Sequence, residues 1–474
     1  MARFVVIGAG LGGLSAAIHL AAEGHAVRVV EAASEAGGKA GTFEVDGVRL
    51  DTGPSVLTLP TILDELLAKA GRDPVDYVVF DPAFRYHFRD GSAITLHHRV
   101  DDTIDAVAET LGRKAADELD AFLDYAAKIW DAAAPSFVYG DAPRWSSLVA
   151  GGLQTLATVR KIDPLSTMKS AIESRVRDPH LRAILLRYAT YNGSDPRRAP
   201  ATLNCIAHVE IGLGGYGVVG GIHRMIDALV DAAEALGVEI ELDTRVEQIV
   251  THDGATRGVI TDRGEREADG VVANADAAHV FASLLPRARP TPDERSMSGW
   301  TALLKTKKRD RVAHTVYFPE SYIDEFVDVF DAHRTPIDPT VYVCAPRLSA
   351  QIDPWPEHEA LFVMVNAPTA EFDLDGAAVE DEVLARLISA DAVEDAKVLW
   401  SRTPQDLAAR FPGTGGALYG AASNGPSAAF KRPPNRDKRV RGLYYASGSA
   451  HPGGGMPLAM LSGAAAARAA LEDL

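Results

Sequence analysis

The chain opens on an apolar, β-branched run, Phe4–Ile7, that predicts a buried strand. Leu14, Ala17, Ile18 and Ala21 then recur at helical spacing, and Gly24 predicts the end of that helix. Val27–Val30 reads as a second strand, finished by Glu31. Phe43–Val45 and Val48–Leu50 read as short strands around Asp46-Gly47, a strong hairpin pair. From about residue 60 to 200 the pattern is largely helical: Ile104, Val107 and Leu111 share one face, as do Leu119, Phe122, Leu123, Ala126 and Trp130. Such stripes read first as core packing, and second as the lining of an apolar tunnel or a bilayer-facing patch. Later, a helix carrying Met225, Leu229 and Ala233 runs from Gly220-Gly221 to Gly237. Strands follow at Val238–Leu242 and Val246–Val250, then a buried strand and helix within Ala268 to Pro286. A last strand, Leu443–Ala446, precedes an Ala-rich helix opened by Pro457. No internal repeat or clear linker interrupts this order.

The first strand and helix are joined by Gly8-Ala9-Gly10-Leu11-Gly12-Gly13. Gly8 suits a tight turn, Gly10 lets backbone approach a pyrophosphate, and Gly13 lets helix and strand pack closely. The helix N-terminus then offers free N–H groups and a positive dipole end to phosphates. Glu31 lies 18 residues past Gly13, placed to accept hydrogen bonds from a ribose diol. A glycine-rich turn in another α/β fold is the plain alternative, but strand, helix, second strand and terminal acid in order point to a dinucleotide. At this level NAD and FAD both remain open. The 474 residues and 47% hydrophobic composition allow two lobes and a large core.

Acids outnumber bases 65 to 48, a net charge of −17, which argues against nucleic acid as a partner and against a broad basic membrane face. Cys205 and Cys344 stand far apart, which fits a reducing cytoplasm and offers neither a disulfide framework nor a metal cage. His97-His98 lacks a third ligand, so no metal is expected. The early strand leaves no room for a signal peptide, and no apolar run is long enough for a transmembrane helix. Asn192-Gly193-Ser194 is formally a glycosylation triplet in a chain that otherwise does not look secreted.

After Glu31-Ala32 come Gly37-Gly38-Lys39 and Asp51-Thr52-Gly53-Pro54. In this order the motifs resemble the flavin-binding amine oxidase and phytoene desaturase superfamily, which implies FAD. The strings RYATY, APATL and IAHVE between Arg187 and Glu210, and the segment from Asp338 to Pro368, are similar to bacterial carotenoid desaturases. GGALYG at Gly415–Gly420 and SAHPGGGMPLAMLSG at Ser449–Gly463 look most like the 1-hydroxycarotenoid 3,4-desaturases, also called methoxyneurosporene dehydrogenases. The resemblance covers nearly the whole chain. One departure is visible: where the family often carries Pro-x-Gly-Gly with a cation at x, this chain has Val218-Val219-Gly220-Gly221.

The resemblance implies an α/β fold: a Rossmann-type, two-dinucleotide-binding-domain flavoprotein with a discontinuous, largely helical substrate domain. Residues 1–75, 205–290 and 405–474 would form the FAD-binding domain, and 76–204 and 291–404 the substrate- and membrane-facing domain. Beyond the residues above, it puts Ala9, Ala32, Val246 and Asn274 against the cofactor. The bare glycine loop near the C-terminus (Gly448, Gly454, Gly455), with Met456 and Pro457, would lie against the isoalloxazine. There the helix N-terminus faces the edge that becomes negative on reduction. The implied reaction is desaturation of an acyclic, 1-hydroxylated carotenoid by hydride transfer to flavin, with oxygen or a quinone as final acceptor and peripheral membrane contact from the cytoplasm. A phytoene desaturase, a saturase, isomerase or amine oxidase using FAD, and a non-catalytic isoprenoid carrier are the alternatives. No GxSxG elbow or Cys/His pairing is present. His451 is the candidate for proton transfer or flavin orientation, whereas His208 and His314 read as structural.

Overall fold

Arg3–Ile7 is the middle strand of a five-stranded parallel sheet in the order Leu443–Tyr445, Gly270–Ala273, Arg3–Ile7, Ala26–Val30, Glu239–Glu241. The computed structural model describes residues 1–142, 162–163, 165–291, 294–425, 428 and 432–474. The unbroken apolar run at the start of the chain is explained by burial on both faces of this sheet. Phe4 and Val6 meet one hydrophobic cluster, with Leu14 and Ile18 of the helix Leu11–Ala22, Met225 and Leu229 of His223–Ala235, and Met460 of the C-terminal helix Met456–Glu472. Val5 and Ile7 meet a second, with Ile249 and Val259 of a three-stranded antiparallel sheet. The alternation thus puts helices on one side and a small sheet on the other.

A second layer system lies beyond. Seven strands run in the order Lys397–Arg402, Ser298–Lys307, His358–Ala367, Val341–Cys344, His314–Tyr317, Phe84–His87, Ala93–Leu96. The helices Val100–Leu111, Arg113–Ala133 and Pro179–Arg187 cover one end, burying Ile104, Val107, Leu119, Phe122, Leu123 and Ala126 as their spacing predicts. Trp130 differs, being only partly buried and facing a cavity. The three short strands Tyr77–Val79, Phe84–His87 and Ala93–Leu96 fall inside the stretch expected to be largely helical. Phe84–His87 pairs in parallel with His314–Tyr317, far away in the chain. Four alternating residues carry too little periodicity to compete with the helical stripes beside them, and only the distant partner makes them a strand.

The two chain ends are packed helix to helix. Ser15 Oγ donates to the Met460 carbonyl at 2.7 Å. A Cβ on Gly463 would sit 2.3 Å from the Gly12 carbonyl oxygen and 2.7 Å from Ser15 Cβ. Gly463→Ala should therefore force the two helices apart and lower stability by about 1–3 kcal/mol, read as a fall in the thermal unfolding midpoint.

Candidate active site

The dinucleotide loop and the C-terminal loop are fastened together by one side chain. Asn274, just past the strand Gly270–Ala273, accepts a hydrogen bond from Gly10 N at 3.1 Å through Oδ1 and donates through Nδ2 to the Ala446 carbonyl. This approach needs bare backbone: a Cβ on Gly10 would lie 2.7 Å from Asn274 Oδ1, and one on Gly12 2.2 Å from the Ala446 oxygen. Gly10 caps the helix Leu11–Ala22 without a side-chain partner, so first-turn N–H groups stay free of intrahelical acceptors. Glu31 is held by two backbone donors, Ala9 N at 2.8 Å to Oε2 and Ala33 N at 2.9 Å to Oε1. Each oxygen keeps acceptor capacity toward the cavity that Glu31 lines.

That cavity has a volume of about 1120 Å³, at or above the upper end of an ordinary small-molecule pocket of roughly 300–1,000 Å³. Gly8, Gly10, Gly12, Glu31, Ala32, Gly37, Gly38, Lys39, Thr52, Gly53, Pro54, Val246 and Asn274 line it from the N-terminal side and the middle of the chain. Gly448, His451, Gly454, Gly455, Met456 and Pro457 line it from the tail. Gly454 has to be bare, since a Cβ there would meet Tyr419 Cδ1 at 2.5 Å. Three expected contacts lie outside the wall. Ala9 is fully buried, with its N–H taken by Glu31. Gly13 serves helix–strand packing, its missing Cβ falling 2.1 Å from the Gly8 carbonyl. Asp51 turns away to hold the start of the middle helix, accepting from Ile222 N at 2.7 Å, His223 N at 3.1 Å and His223 Nδ1 at 3.0 Å.

The cations of the wall come mostly from places the sequence did not single out. Lys39 Nζ donates to the carbonyls of Ala417 and Leu418 at 3.0 and 2.7 Å, tying its turn to GGALYG, and burial lowers its pKa. Arg402 donates to the Thr52 carbonyl at 2.8 Å while its Nη1 is buried without a partner. Arg432 binds the carbonyls of Tyr419, Ala421 and Gly448 at 3.0–3.2 Å. Burial draws both guanidinium pKa values down to about 10, still charged at neutral pH. The stretch Val218 to Gly221 does not reach the cavity, so a cation there is not needed for the wall. Arg187 sits in RYATY, a string noted for resemblance alone. Arg402 and Arg432 carry no periodic or motif signal.

His451 lines the cavity, but its Nε2 is 3.0 Å from the Gly140 carbonyl, to which it donates. Burial lowers its pKa, so the ring is neutral and Nδ1 is its acceptor nitrogen. Tethered this way, it braces the tail loop. His208 is half-buried and lies outside the cavity wall. His314 is fully buried, 2.8 Å from the Tyr342 hydroxyl through Nδ1, with its pKa driven down to about 3 by burial and by Arg187.

The wall fits a flavin dinucleotide: a glycine cradle that any Cβ would fill, an acid oriented by backbone, and buried cations with donors to spare. Gly10→Ala should displace Asn274 and weaken FAD retention at least tenfold, measured as the flavin-to-protein absorbance ratio after gel filtration. His314 yields a pH prediction with a definite sign. The unfolded chain takes its proton near 6.5 and the native ring only near 3. This residue therefore stabilises the fold fully above 6.5 and progressively less as pH falls. In His314→Asn, the stability difference from the unsubstituted protein in urea unfolding should shrink between pH 7 and pH 4.

Comparison with known proteins agrees with this geometry. The model of the family "Flavin containing amine oxidoreductase" matches residues 11–471. A hydroxyneurosporene desaturase from Rubrivivax gelatinosus is 34% identical, covering 100% of this chain and 94% of the relative. A 1-hydroxycarotenoid 3,4-desaturase from Flavobacterium sp. (strain P99-3) is 31% identical over 98% of this chain and 97% of its own. Among solved structures, cyclohexylamine oxidase from Brevibacterium oxydans IH-35A superposes with a TM-score of 0.64 at 16% identity and 99% coverage of both chains, a likeness of fold. The chain thus belongs to the flavin-containing amine oxidoreductase family, on the side of its carotenoid desaturases, and is an FAD-dependent oxidoreductase.

Proposed function

We propose that this protein desaturates an acyclic carotenoid bearing a hydroxyl at C1, removing one hydrogen from each of two adjacent carbons. The observation that carries this reading is the continuity of the cavity. The same space bordered by the glycine cradle is also walled by Trp130, Phe137, Val138, Ile162, Ile206 and Val209. A long apolar chain can lie there with one bond against the redox group. The named activities of the two desaturase relatives support the substrate class. We assign the cofactor chiefly to residues 1–75, 205–290 and 405–474 and the substrate chiefly to 76–204 and 291–404, with Ile206 and Val209 crossing to the substrate wall and Arg402 to the cradle.

FAD bound in the cradle supplies a two-electron acceptor for the hydride that leaves one substrate carbon. The neighbouring carbon loses a proton, the C–C single bond becomes double, and oxygen or a quinone as final acceptor would take up the two electrons and two hydrogens. The chain's own part is binding and orientation. The N-terminal loop and Glu31 hold the dinucleotide, while Gly448, Gly454 and Gly455 leave a flat slot for the ring. The apolar walls exclude water and align the polyene, whose conjugation stabilises the charge developing beside it. His451 keeps the tail loop in place through Gly140. Leu165, which lines the cavity, is 90% exposed, and Tyr139 and Leu213 are exposed as well, which supports docking on a bilayer where carotenoids reside. Among the described residues no helix is long and apolar enough to cross a membrane.

The test is an anaerobic half-reaction. The flavoprotein is mixed with liposomes holding a 1-hydroxylated acyclic carotenoid, phytoene or lycopene. Bleaching of the oxidised flavin band with a red-shifted product is expected for the hydroxylated carotenoid. Bleaching by phytoene alone would move the activity to an earlier desaturation, and bleaching by none would remove the carotenoid reading.

A further inference from the structure

One part of the cavity wall is polar where its surroundings are not. Arg187, at the end of the helix Pro179–Arg187, is 8% exposed and lines the cavity. Its guanidinium is ringed by Phe84, Tyr86, Tyr191 and Tyr342 at 5.3–5.9 Å from the ring centroids. Its Nη1 donates to the Tyr191 hydroxyl at 3.3 Å, and the buried Tyr86 hydroxyl is within reach, which leaves most of the fork unmatched. A guanidinium has five N–H donors, and burying them unmatched is costly. Glu210 lies behind, accepting from Tyr188 at 2.9 Å and from Tyr191, so an acid compensates the charge without ion-pairing directly to it. Beside Arg187, the Tyr322 hydroxyl is buried without a partner in a residue that also lines the cavity, while the neighbouring buried acid, Glu325, is held by Thr340 N at 2.8 Å and by the Thr340 hydroxyl. The Arg187 donors and the Tyr322 hydroxyl await an oxygen, and the charge balance favours a neutral one.

We infer that Arg187 and Tyr322 form a hydroxyl-recognition pocket that holds the C1 oxygen of the carotenoid and thereby selects the bond presented for oxidation. This deepens, and rests on, the proposed desaturation. An alcohol both accepts and donates, so its oxygen takes an Arg187 N–H while its proton goes to Tyr322. The place is also right. Arg187 stands over Tyr342, whose hydroxyl is 2.6 Å from Ser55 Oγ, and Ser55 directly follows Gly53-Pro54 of the cofactor cradle. In a 1-hydroxylated chain the 3,4 bond begins two bonds from the hydroxyl-bearing carbon. A clamp on that oxygen beside the cradle therefore sets the bond as well as the substrate.

The experiment compares a 1-hydroxylated acyclic carotenoid with the same polyene lacking the hydroxyl, each in phosphatidylcholine liposomes. It measures the dissociation constant by flavin fluorescence quenching and kcat/KM by anaerobic bleaching. The unsubstituted holoenzyme should prefer the hydroxylated compound by about 100-fold. Tyr322→Phe removes one unpartnered oxygen, so the flavin spectrum and unfolding midpoint should hold. The preference should nevertheless fall about tenfold, all of it in the hydroxylated substrate. Arg187→Lys keeps the charge but loses the fork, and its preference should fall 10- to 100-fold. Equal affinity of the unsubstituted protein for both compounds overturns the pocket while leaving desaturation standing. Equal losses for both compounds in the variants would mark the residues as structural and overturn it too. Bleaching by neither compound ends the desaturase reading and the pocket with it.

Discussion

The site depends on the clamp that Asn274 makes between Gly10 and Ala446. An amide side chain is suited to this because one end accepts and the other donates. It takes an N–H from the first loop of the chain and gives one to the carbonyl that opens the last. Neither half of the cradle is a flavin site alone: the first presents helix N–H groups and Glu31, the second a bare slot. Their spacing has to be held against the entropy of joining segments more than 400 residues apart. The Ser15–Met460 hydrogen bond and the close seat of Gly463 on Gly12 extend the same junction along two helices.

The electrostatics of the cavity run against those of the whole. The chain carries −17, yet the wall presents Arg187 and Arg432, both buried, and Lys39 and Arg402, both partly buried. Net charge governs what the protein meets in solution, whereas a closed site answers to the groups within a few ångströms. Each of these cations is steadied by backbone carbonyls or by aromatic faces rather than by a buried ion pair. Such a wall favours electron density arriving in the cavity and keeps donors available to bound oxygens.

The seven-stranded sheet decides how substrate and cofactor meet. Its strands bring Tyr342 and Asn366 to the cavity, while the helical layer brings Trp130, Arg187 and Tyr191. Cofactor loops, sheet and helices therefore border one space, apolar along most of its length and polar beside the cradle. Length, water exclusion and a single oriented end follow from that one arrangement.

Local chemistry made much of this readable from the sequence. A β-branched run, bare glycines and Glu31 at the end of the second strand dictate the dinucleotide unit, because each acts through backbone a few residues away. The tail loop and the small residues of the last helix were legible for the same reason. What needed tertiary structure was every role set by a distant partner. Asp51 looked like a cofactor contact and instead caps the helix at Ile222. Phe84–His87 becomes a strand only against His314–Tyr317. His451 is aimed by Gly140, and Arg402, Arg432 and the Arg187 pocket belong to the site through contacts that no spacing encodes. Sequence determines what a segment can do with its own backbone, and the fold decides which side chains from remote segments share one low-dielectric space.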